Sequence, residues 1–317
     1  MQLQTKTTIQ PLEQTVCYGD GLLFLGSCFA DEVGSICRGM GFNALVNPFG
    51  VLYNPASIAR SVERLGSGEP FTHDDVIAVG EGQYCTFSHN TAFWNASETE
   101  LLEQVNRSLK AAHDHFLKSK WVVISLGTSW VFRHKETQLV VSNCHKLPAR
   151  QFDREFLTVE QSVDCLVKML LAYPEKQFIF TVSPLRHLKD GLHENQLSKA
   201  ALLLAVDQVC KQFGNAYYFP AYEILLDELR DYRFYKEDMV HPTEQAIRYI
   251  WERFVDFAIN PKEKTAMQAA AELRQMLHHK PLFPESEAFR KFEVIKEKKI
   301  NELSSNYPKI VLGNLFD

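Results

Sequence analysis

The stretch Leu22-Leu23-Phe24-Leu25-Gly26-Ser27-Cys28-Phe29-Ala30-Asp31 decides how this chain folds. Four apolar residues read as a buried strand that stops at Gly-Ser. The spacing of Ala30, Val33, Ile36 and Cys37 predicts a helix starting at once. A serine at that junction presents its hydroxyl at the mouth of a sheet, beside helix N–H groups that favour negative charge. Two uses compete for it: helix N-cap, the commoner role on local pattern alone, and nucleophile, which needs a base. Far downstream, Asp238-Met239-Val240-His241-Pro242 sets an acid and a histidine three residues apart, ahead of a helical pattern over 243–257. Pro242 suits the first turn of that helix. Ser27, His241 and Asp238 are therefore candidates for nucleophile, base and orienting carboxylate.

Further apolar runs at 121–126, 177–182 and 216–219 each end in Gly, Ser or Pro, with helical periodicity over 101–117, 159–171 and 196–213. Such alternation predicts an α/β fold with a parallel sheet covered by helices on both faces. Ligands of such folds lie at the carboxyl ends of the strands, where Ser27, Gly127 and Ser183 fall. The segment 76–94 reads as an inserted strand pair. From residue 260 the chain is charged and helical, over 263–277 and 286–303, and is expected to pack across the domain or make an oligomer contact. The division expected is an α/β domain over 1–259 and a helical extension over 260–317.

A chain of 317 residues with 45% hydrophobic and 23% charged residues can bury a sizeable core. A net charge of −5 gives no reason to expect nucleic acid. The run beginning Met1-Gln2-Leu3-Gln4 lacks the pattern of a secretory leader. No apolar run approaches the roughly 18 residues that span a bilayer. Seven cysteines without Cys-x-x-Cys spacing fit reduced thiols, so the expectation is a soluble, cytoplasmic protein without a membrane partner.

Gly26-Ser27-Cys28-Phe29-Ala30 resembles the string that names the GSCFA family. Further runs resemble the same family: Asn47-Pro48-Phe49-Gly50-Val51-Leu52-Tyr53-Asn54-Pro55, Ser125-Leu126-Gly127-Thr128-Ser129-Trp130, Asn143-Cys144-His145-Lys146 and Ser183-Pro184-Leu185-Arg186-His187. The resemblance spans about residues 22–246. It implies the SGNH (GDSL-type) hydrolase superfamily and a three-layer α/β/α, flavodoxin-like parallel sheet. It also implies Ser27 as nucleophile, with His241 and Asp238 as base and acid just before the last core helix. The oxyanion hole implied is the Ser27 amide, a glycine amide, for which Gly50 is the candidate, and an asparagine side chain. The sequence departs from the superfamily pattern twice. Gly26 directly precedes Ser27 with no Asp between, and Gly127-Thr128-Ser129 stands where Gly-x-Asn is usual. Either Thr128 or Ser129 donates instead, or Asn143 or Asn54 reaches in from a neighbouring loop.

Cys28 is expected to point away from Ser27 and pack under the first helical turn, with a reactive thiol at a helix N-terminus as the minor alternative. Arg186 and His187 either clamp an anionic substrate group or form a buried polar network. His187 and His193 lack a third ligand at turn or helical spacing, so neither metal nor cofactor is expected. The resemblance implies hydrolysis of a small, acetyl-type ester of a carbohydrate or metabolite. The rivals are transfer of the acyl group to another hydroxyl, which the 76–94 insert would favour as a lid, and a non-catalytic sugar- or acyl-binding module. A homo-oligomer through the C-terminal helices is a further expectation.

Overall fold

Strand β1 (Gly21–Gly26) is buried along its whole length. Its side chains alternate: Leu22 and Phe24 enter one apolar layer, Leu23 and Leu25 the other. A strand buried on both faces belongs in the middle of a parallel sheet. The computed structural model describes residues 5–80 and 82–316. Residues 1–4, read above for a leader, and Glu81 of the expected insert lie outside the described residues.

After β1 come α1 (Cys28–Gly39), β2 (Asn43–Val46), α2 (Pro55–Ser67), β3 (Val76–Ala78), β4 (Tyr84–Thr86) and α3 (Glu98–Lys118). Then follow β5 (Ser119–Leu126), β6 (Trp130–His134), β7 (Val140–Val141), β8 (Phe152–Phe156), α4 (Val159–Ala172), β9 (Gln177–Val182), α5 (Leu192–Gln212) and β10 (Ala216–Tyr218). A short turn of helix, α6 (Ala221–Glu223), α7 (Glu244–Ala258), α8 (Lys264–Leu277) and α9 (Glu287–Asn306) complete the chain.

The sheet is parallel, in the order β2-β1-β5-β9-β10. Numbered among themselves its strands run 2-1-3-4-5, the flavodoxin-like order, with the switch point between β1 and β5. Helices α1, α7 and α8 cover one face and α2 to α5 the other. The result is the expected three-layer α/β/α sandwich. The C-terminal helices pack back across it: Ala266, Met267, Ala270 and Leu273 of α8, with Leu303, Ile310 and Leu315, join the apolar layer of α1 and α7. Val311 N donates to Gly41 O at 2.8 Å and Asn314 Nδ2 to Phe42 O at 2.8 Å, pinning the chain end beside α1. No helix among the described residues is long and apolar enough to cross a membrane.

The segment 76–94 does contain an antiparallel pair, β3 and β4. A second antiparallel sheet, β7-β6-β8, was not legible in the sequence. Pro242 lies outside α7, whose N-cap is Thr243; it bridges Tyr235 instead of opening the helix.

The turn from β1 into α1 rests on Gly26. Its φ is +134°, and a Cβ there would lie 2.1 Å from the Ser125 carbonyl oxygen. No side chain fits. Gly26→Ala should therefore cost at least about 2 kcal/mol and lower the thermal midpoint by about 4 °C or more, measured by calorimetry.

Candidate functional site

Beyond the carboxyl ends of β1, β5 and β9 lies a cavity of about 840 Å³. Ser27, Cys28, Tyr53, Asn54, Ser183 and His241 line one side of it. The second sheet supplies another wall, with Trp130 and Phe132 from β6, Val141 from β7, and Phe152 and Arg154 from β8. No described residue of 76–94 lines the cavity, so that insert does not supply the lid that would have favoured acyl transfer.

Ser27 caps α1: its Oγ accepts from Phe29 N at 3.2 Å. The same oxygen is hydrogen-bonded to Ser125 Oγ at 2.9 Å, and the residue is 1% exposed. Its N–H donates to Ser125 O at 3.0 Å. Ser27 is thus a helix cap that also borders the cavity. Cys28 departs from its expectation. It lines the same cavity, with Sγ 3.6 Å from Tyr53 Oη. At the first turn of a helix, successive side chains fan through about 100°, which is not enough to send Cys28 to the far side.

His241 and Asp238 meet as read from the sequence. The Nδ1 of His241 lies 2.6 Å from Asp238 Oδ2, while Asp238 Oδ1 accepts from the amides of His241 and Val240, both at 2.9 Å. Those amides, His241's foremost, together with the ring hold the Asp238 carboxyl down at about 2. Met239 takes a left-handed φ of +58° so that the turn can close. Nδ1 is committed to the carboxylate, which leaves Nε2 as the ring atom able to take a proton. Both side chains are open to solvent, at 43% and 48%. Ser27 bonds to Ser125 here and not to His241.

The expected oxyanion donors are mostly spent elsewhere. Gly50 N donates to Asn47 O at 2.7 Å, and a Cβ on Gly50 would strike Asn90, so this glycine serves a turn packed against Asn90. Gly127 N and Thr128 N both donate to Tyr53 O. Ser129 is fully buried, bonded through N and Oγ to Ser198 of α5, and Thr128 Oγ1 also meets Ser198 Oγ. Donors that line the cavity and carry no bond among the described residues include two close to Ser27 in the chain or the motif series. The Cys28 amide opens α1 and has no acceptor among the described residues. Asn54 uses its Oδ1 to cap α2 through Ser57 N at 2.8 Å, and its Nδ2 has no acceptor among the described residues. Asn143 lines the cavity too, its Oδ1 occupied by His145 N.

His187 packs edge-on against Tyr53, with ring centroids 5.6 Å apart. Burial, and then the charge of Lys199, push its pKa down to about 4, so it is neutral near pH 7. Among the described residues there is no group of three His, Cys, Asp or Glu side chains that could hold a metal. Lys199 is the residue that sequence reasoning missed. It is 1% exposed, and Nζ donates to Gly127 O at 2.6 Å and Ser183 O at 2.7 Å, tying together the ends of β5 and β9. Burial lowers its pKa to about 7.

The family model described as GSCFA family matches residues 21–254, from the first residue of β1 into α7. The chain belongs to the GSCFA family. A second model, GSCFA domain protein, C-terminal domain, matches residues 270–315, the end of α8 through α9 to the chain end packed on α1. No curated protein and no solved structure matches the chain. In this GSCFA protein the run that names the family is the β1–α1 junction itself, where Gly26 makes the close approach, Ser27 the cap and Cys28 the cavity wall.

Removing the Lys199 ammonium leaves two buried carbonyls unpartnered. Lys199→Met should cost about 2–4 kcal/mol in chemical denaturation, whereas Lys211→Met on the exposed end of α5 should stay within about 0.5 kcal/mol.

Proposed function

We propose that this GSCFA protein is a serine-dependent ester hydrolase of the SGNH type, acting on a small acyl ester of a carbohydrate or metabolite through an acyl-enzyme. The observation that carries this reading is that His241, bonded to Asp238, lines the same cavity as Ser27, which sits at a helix N-terminus at the switch point of the sheet. The sheet order and the place of Asp238 and His241 just before α7 support the superfamily assignment. Seven unpaired thiols support a reducing compartment, the cytoplasm.

In this mechanism Ser27 Oγ leaves Ser125, turns toward His241 Nε2 and attacks the ester carbonyl as the imidazole takes its proton. Catalytic contacts that form only with substrate bound are common in enzymes. Asp238, ionised down to about pH 2, fixes the ring and balances the imidazolium. The carbonyl oxygen, now negative, receives the Cys28 amide and Asn54 Nδ2 in place of the amides of Ser27 and Gly50. His241 then protonates the departing alcohol, and water attacks the acyl-enzyme by the same relay.

Two other readings each have one observation in their favour. The cavity is far larger than an acetyl group needs, which favours transfer to a second hydroxyl compound; transfer would appear as product that depends on an added acceptor. The Ser27–Ser125 bond favours a binding module, whose ligand affinity Ser27→Ala would leave unchanged.

With 4-nitrophenyl acetate as probe, Ser27→Ala and His241→Ala should each lower kcat/KM by about 10³-fold or more. Undiminished turnover in Ser27→Ala would sink the mechanism. Asn54→Asp keeps the cap but loses the donor, so it should cost about 10²–10³ in kcat with little change in stability. Because the Asp238 carboxyl is held down at about 2, its protonation should not contribute to the acid side of the pH–kcat/KM profile, and a limb with a slope of two protons would contradict this.

A further inference from the structure

Three cationic side chains line the cavity: Arg154, Arg186 and Lys189. They are not equivalent. Arg154 is stacked on Trp130, 3.9 Å from the ring centroid, and is ion-paired with Asp190. Lys189 is exposed to solvent. Arg186 is half-buried, and among the described residues no carboxylate lies within 4.0 Å of its guanidinium. Its neighbours are tyrosines. The guanidinium carbon lies 4.8 Å from the Tyr235 ring and 5.7 Å from the Tyr232 ring, and Nη2 donates to Tyr235 Oη at 3.3 Å. Ring faces hold the guanidinium plane in one orientation while leaving most of its five N–H donors unused.

Arg186 lines the cavity, whereas Tyr232 and Tyr235 line a neighbouring pocket that shares Arg186, and backbone pairing fixes where Tyr235 stands. Tyr235 forms an antiparallel bridge with Pro242, and Lys236 N donates to His241 O at 2.7 Å. The segment on which Arg186 leans is thus the one paired with His241. In an acyl-enzyme mechanism the histidine hands its proton to the departing alcohol, so the alcohol portion lies on His241's side. A planar, fixed and uncompensated guanidinium there matches a carboxylate or a phosphate in fork geometry. We propose that Arg186, held in place by Tyr235, binds an anionic group carried by the alcohol portion of the ester. This rests on the hydrolase reading for the direction of the alcohol, and it narrows the substrate to esters of hydroxy acids or of phosphorylated alcohols. Arg186→Lys would keep the charge but lose the fork.

The test separates binding from turnover. In Ser27→Ala protein, which holds an ester without consuming it, the affinities of 4-acetoxybenzoate, 4-acetoxyphenyl phosphate and the neutral 4-acetoxybenzamide are measured by calorimetry. At least one anion should bind about tenfold or more tightly than the amide, and the better of the two names the group. Adding Arg186→Gln should bring that ratio to about one, Tyr235→Phe should lower it, and Arg186→Lys should retain part of it. Because each variant is compared with itself across ligands, a general loss of structure cannot mimic the change. Anions that bind no better than the amide, or a preference that survives Arg186→Gln, would overturn the proposal. Wild-type turnover of the same esters is read separately. Anion preference without turnover would overturn the hydrolase reading alone, and turnover without anion preference would overturn the anion site alone.

Discussion

The approach of Gly26 to the backbone of Ser125 is the constraint on which the rest of this structure depends. With no Cβ in the way, the end of β1 closes on the end of β5, and Ser27 N reaches Ser125 O at 3.0 Å. Asn47 then staples the junction from the other side. Its Oδ1 accepts from Gly26 N at 2.8 Å and its Nδ2 donates to Asp31 Oδ1 at 2.6 Å, so one side chain fixes both the strand end and the first turn of α1. Asn47 itself takes a left-handed φ of +41°, a conformation that asparagine tolerates better than most residues. The serine, the helix N-terminus and the switch point of the sheet are brought together by these few short contacts.

That tightness has a chemical consequence. Backbone amides used to close the junction cannot also stabilise an oxyanion, and those of Ser27, Gly50, Gly127 and Thr128 all carry structural bonds. Among the donors left at the cavity are the amide at the start of α1 and the side-chain nitrogen of Asn54, whose oxygen is already committed to capping α2. Asn54 lines the cavity and is held by the cap, with its amide nitrogen unbonded among the described residues. A pre-oriented donor stabilises developing charge without having to reorganise. Lys199 plays a supporting part from beneath, holding the ends of β5 and β9 at a fixed separation through the carbonyls of Gly127 and Ser183.

Much of the framework was legible because its signals are local. The apolar runs of β1, β5 and β9 end in Gly or Ser, the amphipathic helices keep their period, and the Asp238–His241 pairing spans only one turn. What stayed hidden depends on partners distant in sequence. Strand β2 is four residues long and acquires its identity only by pairing with β1. The sheet at 130–156 is built from short, partly exposed strands that pair with one another, and no hydrophobic period marks them. Gly50 looked like a cavity glycine because its motif resembles one, yet the space beside its Cα is taken by Asn90, forty residues on. Lys199 reads in sequence as one more helical surface charge. Only the tertiary fold shows that two strand ends converge on it.

The central claim is that Ser27 is an activated nucleophile served by His241. The most direct measurement is intact-protein and peptide mass spectrometry after treatment with a small fluorophosphonate, on wild type, Ser27→Ala and His241→Ala, with a known serine esterase as positive control. The account predicts one adduct per chain, located on Ser27, that is lost in both variants. An unmodified Ser27 beside a fully labelled control, or an adduct that persists without His241, would contradict it.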